Sequence, residues 1–278
     1  MISKIKGIYI TLFFILTILV VSILLLIIRE DRNLPPKGIY FKDTYQYRGT
    51  YFDEEPVTVY LFNIKNHDEE YLDFTTYDVY LVGDQEVKVD HPSLSYQDPN
   101  KKVKIGKIAF SLKPKEGLSV YNKIKFVHKN DSSIFYSFDI GMIVIDKVSI
   151  SEQNKAMNAH IQTGVLMFDD LYNYQLNVYN HSPNNIVIKN IRLDDPFLEK
   201  DKIEGIHTVV SKDDVVLITQ EFKHFDQKKT MMLLPLLEYS QEGSEEIFYL
   251  RPIMSRTYNL SFSREDIIDY VKEMLVED

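Results

Sequence analysis

Two patterns of apolar and polar positions divide this chain. From Gly7 to Ile28 there is no charged residue, and residues 8–28 are almost uniformly apolar. Beyond Lys37 the pattern changes to alternation with a period of two. The first pattern predicts a helix. Rising ~1.5 Å per residue, it reaches about 31 Å, close to the hydrocarbon thickness of a bilayer. The expectation is a single transmembrane helix at 8–28, a short head at 1–7, and a linker at 29–37 stiffened by Pro35 and Pro36. A cleavable signal peptide is the alternative. It has a shorter apolar region and ends at a small-residue site, which Ile28-Arg29-Glu30-Asp31 does not offer. Flanking charges do not decide orientation, since Lys4 and Lys6 precede the helix and Arg29 and Arg32 follow it. The short basic head reads as a secretory signal. The chain is therefore expected to be a single-pass cell-membrane protein, in contact with the lipid bilayer through 8–28, with its N-terminus cytoplasmic and its body outside.

The second pattern predicts strands. Thr58, Tyr60, Phe62 and Ile64 fall on one strand face; Leu72 and Phe74, then Tyr77, Val79 and Leu81, continue the alternation. Asn66 to Glu70 reads as a polar turn. The passage recurs: Tyr60, Phe62, Ile64, Asn66 and His67 line up with Tyr174, Leu176, Val178, Asn180 and His181, and Ile134-Phe135-Tyr136 with Ile247-Phe248-Tyr249. Two matches at nearly one offset indicate duplicated domains. The fold expected is mainly β: two tandem immunoglobulin-like β-sandwich domains at 38–149 and 150–263, closed by a short amphipathic helix at 264–278. Ser263 and Asp266 are spaced as a capping box, and Ile267, Ile268, Val271, Met274 and Leu275 form one apolar face. Such a helix either packs on the second domain or docks a partner.

Charge and composition narrow the chemistry. Net charge is -9, and all 41 acidic residues follow the apolar stretch. An acidic body repels a phosphate backbone, so nucleic acid is not an expected partner. Cysteine is absent, which excludes disulfides, thiolate metal sites and a Cys nucleophile. No nucleotide-binding, serine-hydrolase or zinc-protease motif occurs, and no two of the seven histidines stand at metal-ligand spacing. No catalytic, cofactor or metal site is expected, and the chain is not read as an enzyme. The acidic pairs Asp169-Asp170, Asp194-Asp195 and Asp213-Asp214, with Asp68-Glu69-Glu70, read as solvated turns; calcium is the sharper alternative.

Binding surfaces remain. Tyr45 and Tyr47 share a strand face just after the linker, which either packs the first strand or offers a binding platform. Met231, Met232, Leu233, Leu236 and Leu237 make the most apolar stretch of the body, which reads either as a buried strand of the second domain or as an exposed patch, and Pro235 argues for an edge or loop. With Ile268 and Leu275 of the last helix, these are the expected partner-binding residues. The reading is a non-catalytic accessory protein engaging a membrane or envelope protein. A module for an envelope glycan or small ligand, and an unrecognised envelope hydrolase, are the alternatives.

Overall fold

The computed structural model describes residues 15–23, 34–97, 102–165, 173–193, 200–222, 230–252, 256–258 and 263–277. Of the stretch expected to span a membrane, residues 15–23 are described. They form a helix, α1, exposed on every side. No helix among the described residues is long and apolar enough to cross a membrane. This overturns the expected single-pass location and leaves the bilayer contact assigned to 8–28 without support. The described residues of α1 rise only ~14 Å, about half of a hydrocarbon core. The rest of 8–28 lies outside the described residues.

The chain is otherwise mainly β, with several sheets. One has the order β1 (Gly38–Phe41), β3 (Glu55–Ile64), β7 (Val103–Leu112), β6 (Asp90–Gln97). It faces a seven-stranded sheet ordered β19 (Arg256–Tyr258), β16 (Thr230–Leu234), β2 (Thr44–Thr50), β9 (Phe135–Lys147), β8 (Gly117–His128), β4 (Tyr77–Gly83), β5 (Glu86–Lys88). A third sheet runs β10 (Ile161–Val165), β11 (Asn173–Asn180), β15 (Val215–Phe222), β13 (Lys200–Glu204). A fourth runs β14 (Val209–Val210), β12 (Ile186–Arg192), β17 (Leu236–Gln241), β18 (Phe248–Leu250).

Alternation builds the cores. Val57, Val59 and Leu61 of β3 meet Val79, Leu81, Phe126, Ile143 and Ile145 across the first. Tyr174, Leu176 and Val178 of β11 meet Ile186, Ile188, Leu237 and Phe248 across the second. The seven-stranded sheet serves both. Ile143 and Ile145 of β9 enter the first core, while Val144, with Tyr47 of β2 and Met231 and Leu233 of β16, enters the second. A period of two makes this possible, because successive side chains leave a strand on opposite faces.

Pro235 separates β16 from β17 and so marks where the chain changes sheets. Having no N–H, proline leaves no ladder donor unpaired at the crossing. Gly49 on β2 makes room for it: a Cβ there would lie 2.7 Å from Leu236 Cγ. The stretch expected at an edge is thus central in both sheets, between β19 and β2 and then between β12 and β18.

Between Ile64 and Tyr77 the expected strand at Leu72 and Phe74 is replaced by a turn and a single 3-10 turn at Glu70–Leu72. Lys65 and Asn66 both adopt positive φ there, which ends the extended run. A short helix not foreseen from the sequence, α2 (Glu152–Asn158), is capped by Ser151 and tied to β18 by Asn154, whose amide accepts from Tyr249 N and donates to Tyr249 O. The last helix, α3 (Arg264–Glu277), closes its expected capping box: Asp266 N donates to Ser263 Oγ, and Ser263 N to Asp266 Oδ2. Its destination differs from expectation. Ile267 and Val271 are buried against Phe62, Ile64, Val103 and Leu34, on the outer face of the first sheet rather than on the second half of the body.

Candidate functional site

Among the described residues, a cluster of buried charge lies at the junction between the two cores. Glu55 of β3 is fully buried and receives both Nη atoms of Arg251 at 2.7 and 2.8 Å, plus Arg48 Nη1 at 3.1 Å. Gln46 Oε1 accepts from Arg48 Nε, and Gln46 Nε2 donates to the Thr58 carbonyl. Burial pushes the Arg48 guanidinium below its ordinary pKa, and Glu55 opposes that shift. Nearby, Asp146 of β9 accepts from Arg192 Nε at 2.6 Å, Arg192 Nη2 at 3.1 Å and the Tyr47 hydroxyl at 2.9 Å. Both carboxylates and Arg48 precede residue 150, whereas the other two paired arginines, Arg192 and Arg251, follow it. Two-pronged pairs of this kind fix orientation. Each of these groups has hydrogen-bonded partners within the protein.

A second cluster lies at the far end of the first core. Tyr136 donates to Glu70 Oε1 at 2.6 Å, and the Tyr136 ring packs against Tyr71 and Tyr77. The Tyr136 hydroxyl holds Glu70 below the usual carboxylate range, and the same bond pushes Tyr136 up to about 12. The expected acidic turns are occupied in similar local ways: His67 bonds Glu69, and Asp213 faces His181. Asp169-Asp170 and Asp194-Asp195 lie outside the described residues.

The expected partner-binding residues are not brought together on the surface. Tyr47, Met231, Leu233, Leu236 and Leu237 are fully buried, because β2, β16 and β17 are interior strands. A partner cannot reach them without unfolding the core, and that expectation is corrected. Tyr45 and Met232 are half-buried, Ile268 leans on the cluster under α3, and Leu275 is exposed.

What the sequence reading missed is a pair of matching sheet faces. The orders β1-β3-β7-β6 and β10-β11-β15-β13 correspond, and a buried asparagine sets their register. Asn63, near the end of β3, accepts from His67 N and donates to His67 O. Asn180, at the end of β11, accepts from Ser182 N and donates to Asn184 O. Asn63 therefore corresponds to Asn180, and not Asn66 as the sequence alignment has it. The three-position shift is odd, so it exchanges the faces of the strand. The pair Ile134-Phe135 and Ile247-Phe248 also fails to match in environment: Phe135 is 56% exposed and Phe248 is 1%.

In the corrected register the cross-strand pair Phe62 and Ile105 corresponds to Tyr179 and Val215. Phe62 lies beneath α3, edge-on to the Tyr270 ring at 5.7 Å, and is 0% exposed. Tyr179, Val215 and Leu217 are 38%, 53% and 46% exposed. Beside them on that face stand the uncharged Gln162, Gly164, Gln175, Asn177 and Thr219, with Glu204 opposite Thr219 and Glu221 at the end of β15, and a Cβ at Gly164 would meet nothing within 4 Å. Among the described residues nothing packs on this face. The signal was present in sequence as Val215 and Leu217 alternating with Val216 and Ile218, an apolar strand on both sides, which only a second covering layer justifies.

No family model matches the sequence, and no curated protein matches it. Solved structures show distant likeness. The chaperone YadV is 10% identical, with 79% of this chain and 98% of that chain covered and a TM-score of 0.21. The E. coli chaperone DraB is 8% identical over 78% and 97%, with a TM-score of 0.22. The secreted serine protease VesC from Vibrio cholerae is 8% identical over 82% and 51%, with a TM-score of 0.22. Likeness this low, spread over chaperones and a protease, carries no argument about function.

Proposed function

We propose that this chain is a non-catalytic protein-binding scaffold. Its two immunoglobulin-like β-sandwich units are held at a fixed angle, and the partner is taken on the outer face of β10-β11-β15. One observation carries the reading. The corresponding face of the first unit is covered by α3, whereas Tyr179, Val215 and Leu217 stand open. Contiguous exposed apolar side chains on a sheet face mark an interaction surface, because a monomer gains by covering them. The junction supports the same reading, since a rigid frame lowers the entropy lost on binding.

A photo-crosslinking residue placed at Leu217, with Ser93 on the first unit as control, tests it in the native host. The expected result is a protein adduct at 217 and none at 93. Equal labelling at both positions, or no adduct at 217, would refute the assignment of this face.

A further inference from the structure

We infer that the occupant of this open face is an amphipathic helix with a cationic polar side, supplied by the partner. The inference rests on the protein-binding reading above and gives it a chemistry. The chain itself shows what such a face accepts. On the first unit α3 presents Ile267 and Val271, one turn apart, to Phe62, Ile64 and Val103. Tyr179 and Val215 occupy the positions of Phe62 and Ile105, so the second face offers the same cross-strand ridge for a helix to straddle.

Charge then selects the sign. On the first face Lys42 lies over the Tyr270 ring of α3 at 3.7 Å, and Lys107, in step with Ile105, shares that face. The helix that covers it carries Glu265, Asp266, Asp269, Glu273 and Glu277 against Arg264 and Lys272. A cationic face thus holds an acidic helix. The second face has the opposite sign. Its paired positions include Glu221, and the turn leading into β15 adds Asp213 and Asp214 against Lys212. An acidic helix such as α3 would be repelled there, and a basic one attracted. A helix also suits the geometry, since a strand would add at a sheet edge instead of lying across a face.

Two peptides of 14 residues, the length of α3, test this against the full chain. Both carry Leu and Ile at i, i+3, i+4 and i+7, one with Lys and one with Glu at the polar positions. The Lys peptide is expected to bind at least about tenfold more tightly than the Glu peptide. Leu217→Asp is expected to weaken the Lys peptide by about tenfold, the worth of one seated Leu. That variant separates specific from diffuse attraction: it adds negative charge, so non-specific binding of a cationic peptide would rise. Unchanged or tighter binding to Leu217→Asp, or equal binding of the two peptides, overturns the inference. Leu217→Ser, which leaves charge unchanged, gives the same readout if the Asp variant misfolds. An adduct at Leu217 in the crosslinking experiment without binding of the Lys peptide sinks the helix and spares the protein-binding reading. The absence of both sinks the two together, and an adduct to a second copy of this chain overturns the partner helix.

Discussion

Tyr45 and Tyr47 stand two residues apart on β2 and face the same core, yet their hydroxyls differ in kind. Tyr47 donates to the buried carboxylate of Asp146, whereas the Tyr45 hydroxyl is buried without a hydrogen-bond partner. A hydrogen bond to a charged acceptor is worth about 1.5–3 kcal/mol, and an unsatisfied buried hydroxyl is a cost. Tyr47→Phe is therefore expected to lower unfolding free energy by about 1.5–3 kcal/mol, and Tyr45→Phe to leave it unchanged or raise it. Urea titration of the two variants beside the parent chain measures both. Equal losses would show that ring packing, and not the hydroxyl, governs this strand. In the sequence the two tyrosines are indistinguishable. Their shared face follows from periodicity, but whether a hydroxyl finds a partner depends on residues far along the chain, as Asp146 is for Tyr47.

At the scale of elements, α3 separates what is local from what is not. Its start was legible because Ser263 and Asp266 form a capping box three residues apart, and its apolar stripe was legible from spacing. Its seat was not, because nothing within fourteen residues says which sheet offers the matching face. The turn at Asn66 gives the converse lesson. A polar Asn-His run recurs at 66–67 and 180–181, and aligning those letters chose the wrong asparagine. The one that corresponds to Asn180 is Asn63, recognisable only by its burial and by the loop amides it binds. The role of α3 as a cover can be measured. Val271 is fully buried beneath it, so Val271→Asp would place a carboxylate against Phe62 and Ile64 and drive the helix off. Amides of α3 are expected to lose exchange protection while those of β11 and β15 keep theirs. The bared face should then self-associate in light scattering. Loss of protection throughout the chain would mean that α3 is part of the cooperative core and not a cover laid upon it.

The whole molecule is held by features that no single stretch announces. A duplicated body read from sequence suggests two beads on a string, each able to unfold alone. The strands do not divide that way. β16 comes from the later half of the chain, pairs in parallel with β2, and buries Met231 and Leu233 beside Tyr47. Parallel pairing across such a sequence distance leaves no local signature, which is why Pro235 points to an edge or loop where the strands are in fact central. Two clamps then cross the same junction, Asp146 with Arg192 and Glu55 with Arg251. Unfolding either half would strip a strand from a shared sheet and strand a buried charge. A single cooperative transition is therefore expected, with fluorescence and circular dichroism melting together. The clamp at Glu55 is the sharpest probe. Glu55→Ala would leave Arg48 and Arg251 facing one another in a buried site with no carboxylate between them. Removing one member of a buried charge cluster costs about 3–5 kcal/mol, because the remaining charges are left uncompensated. If the junction couples the halves, that loss lowers the whole transition as one step. If the halves are independent, the first melts early and the second keeps its original midpoint, and two resolved transitions in calorimetry would show it.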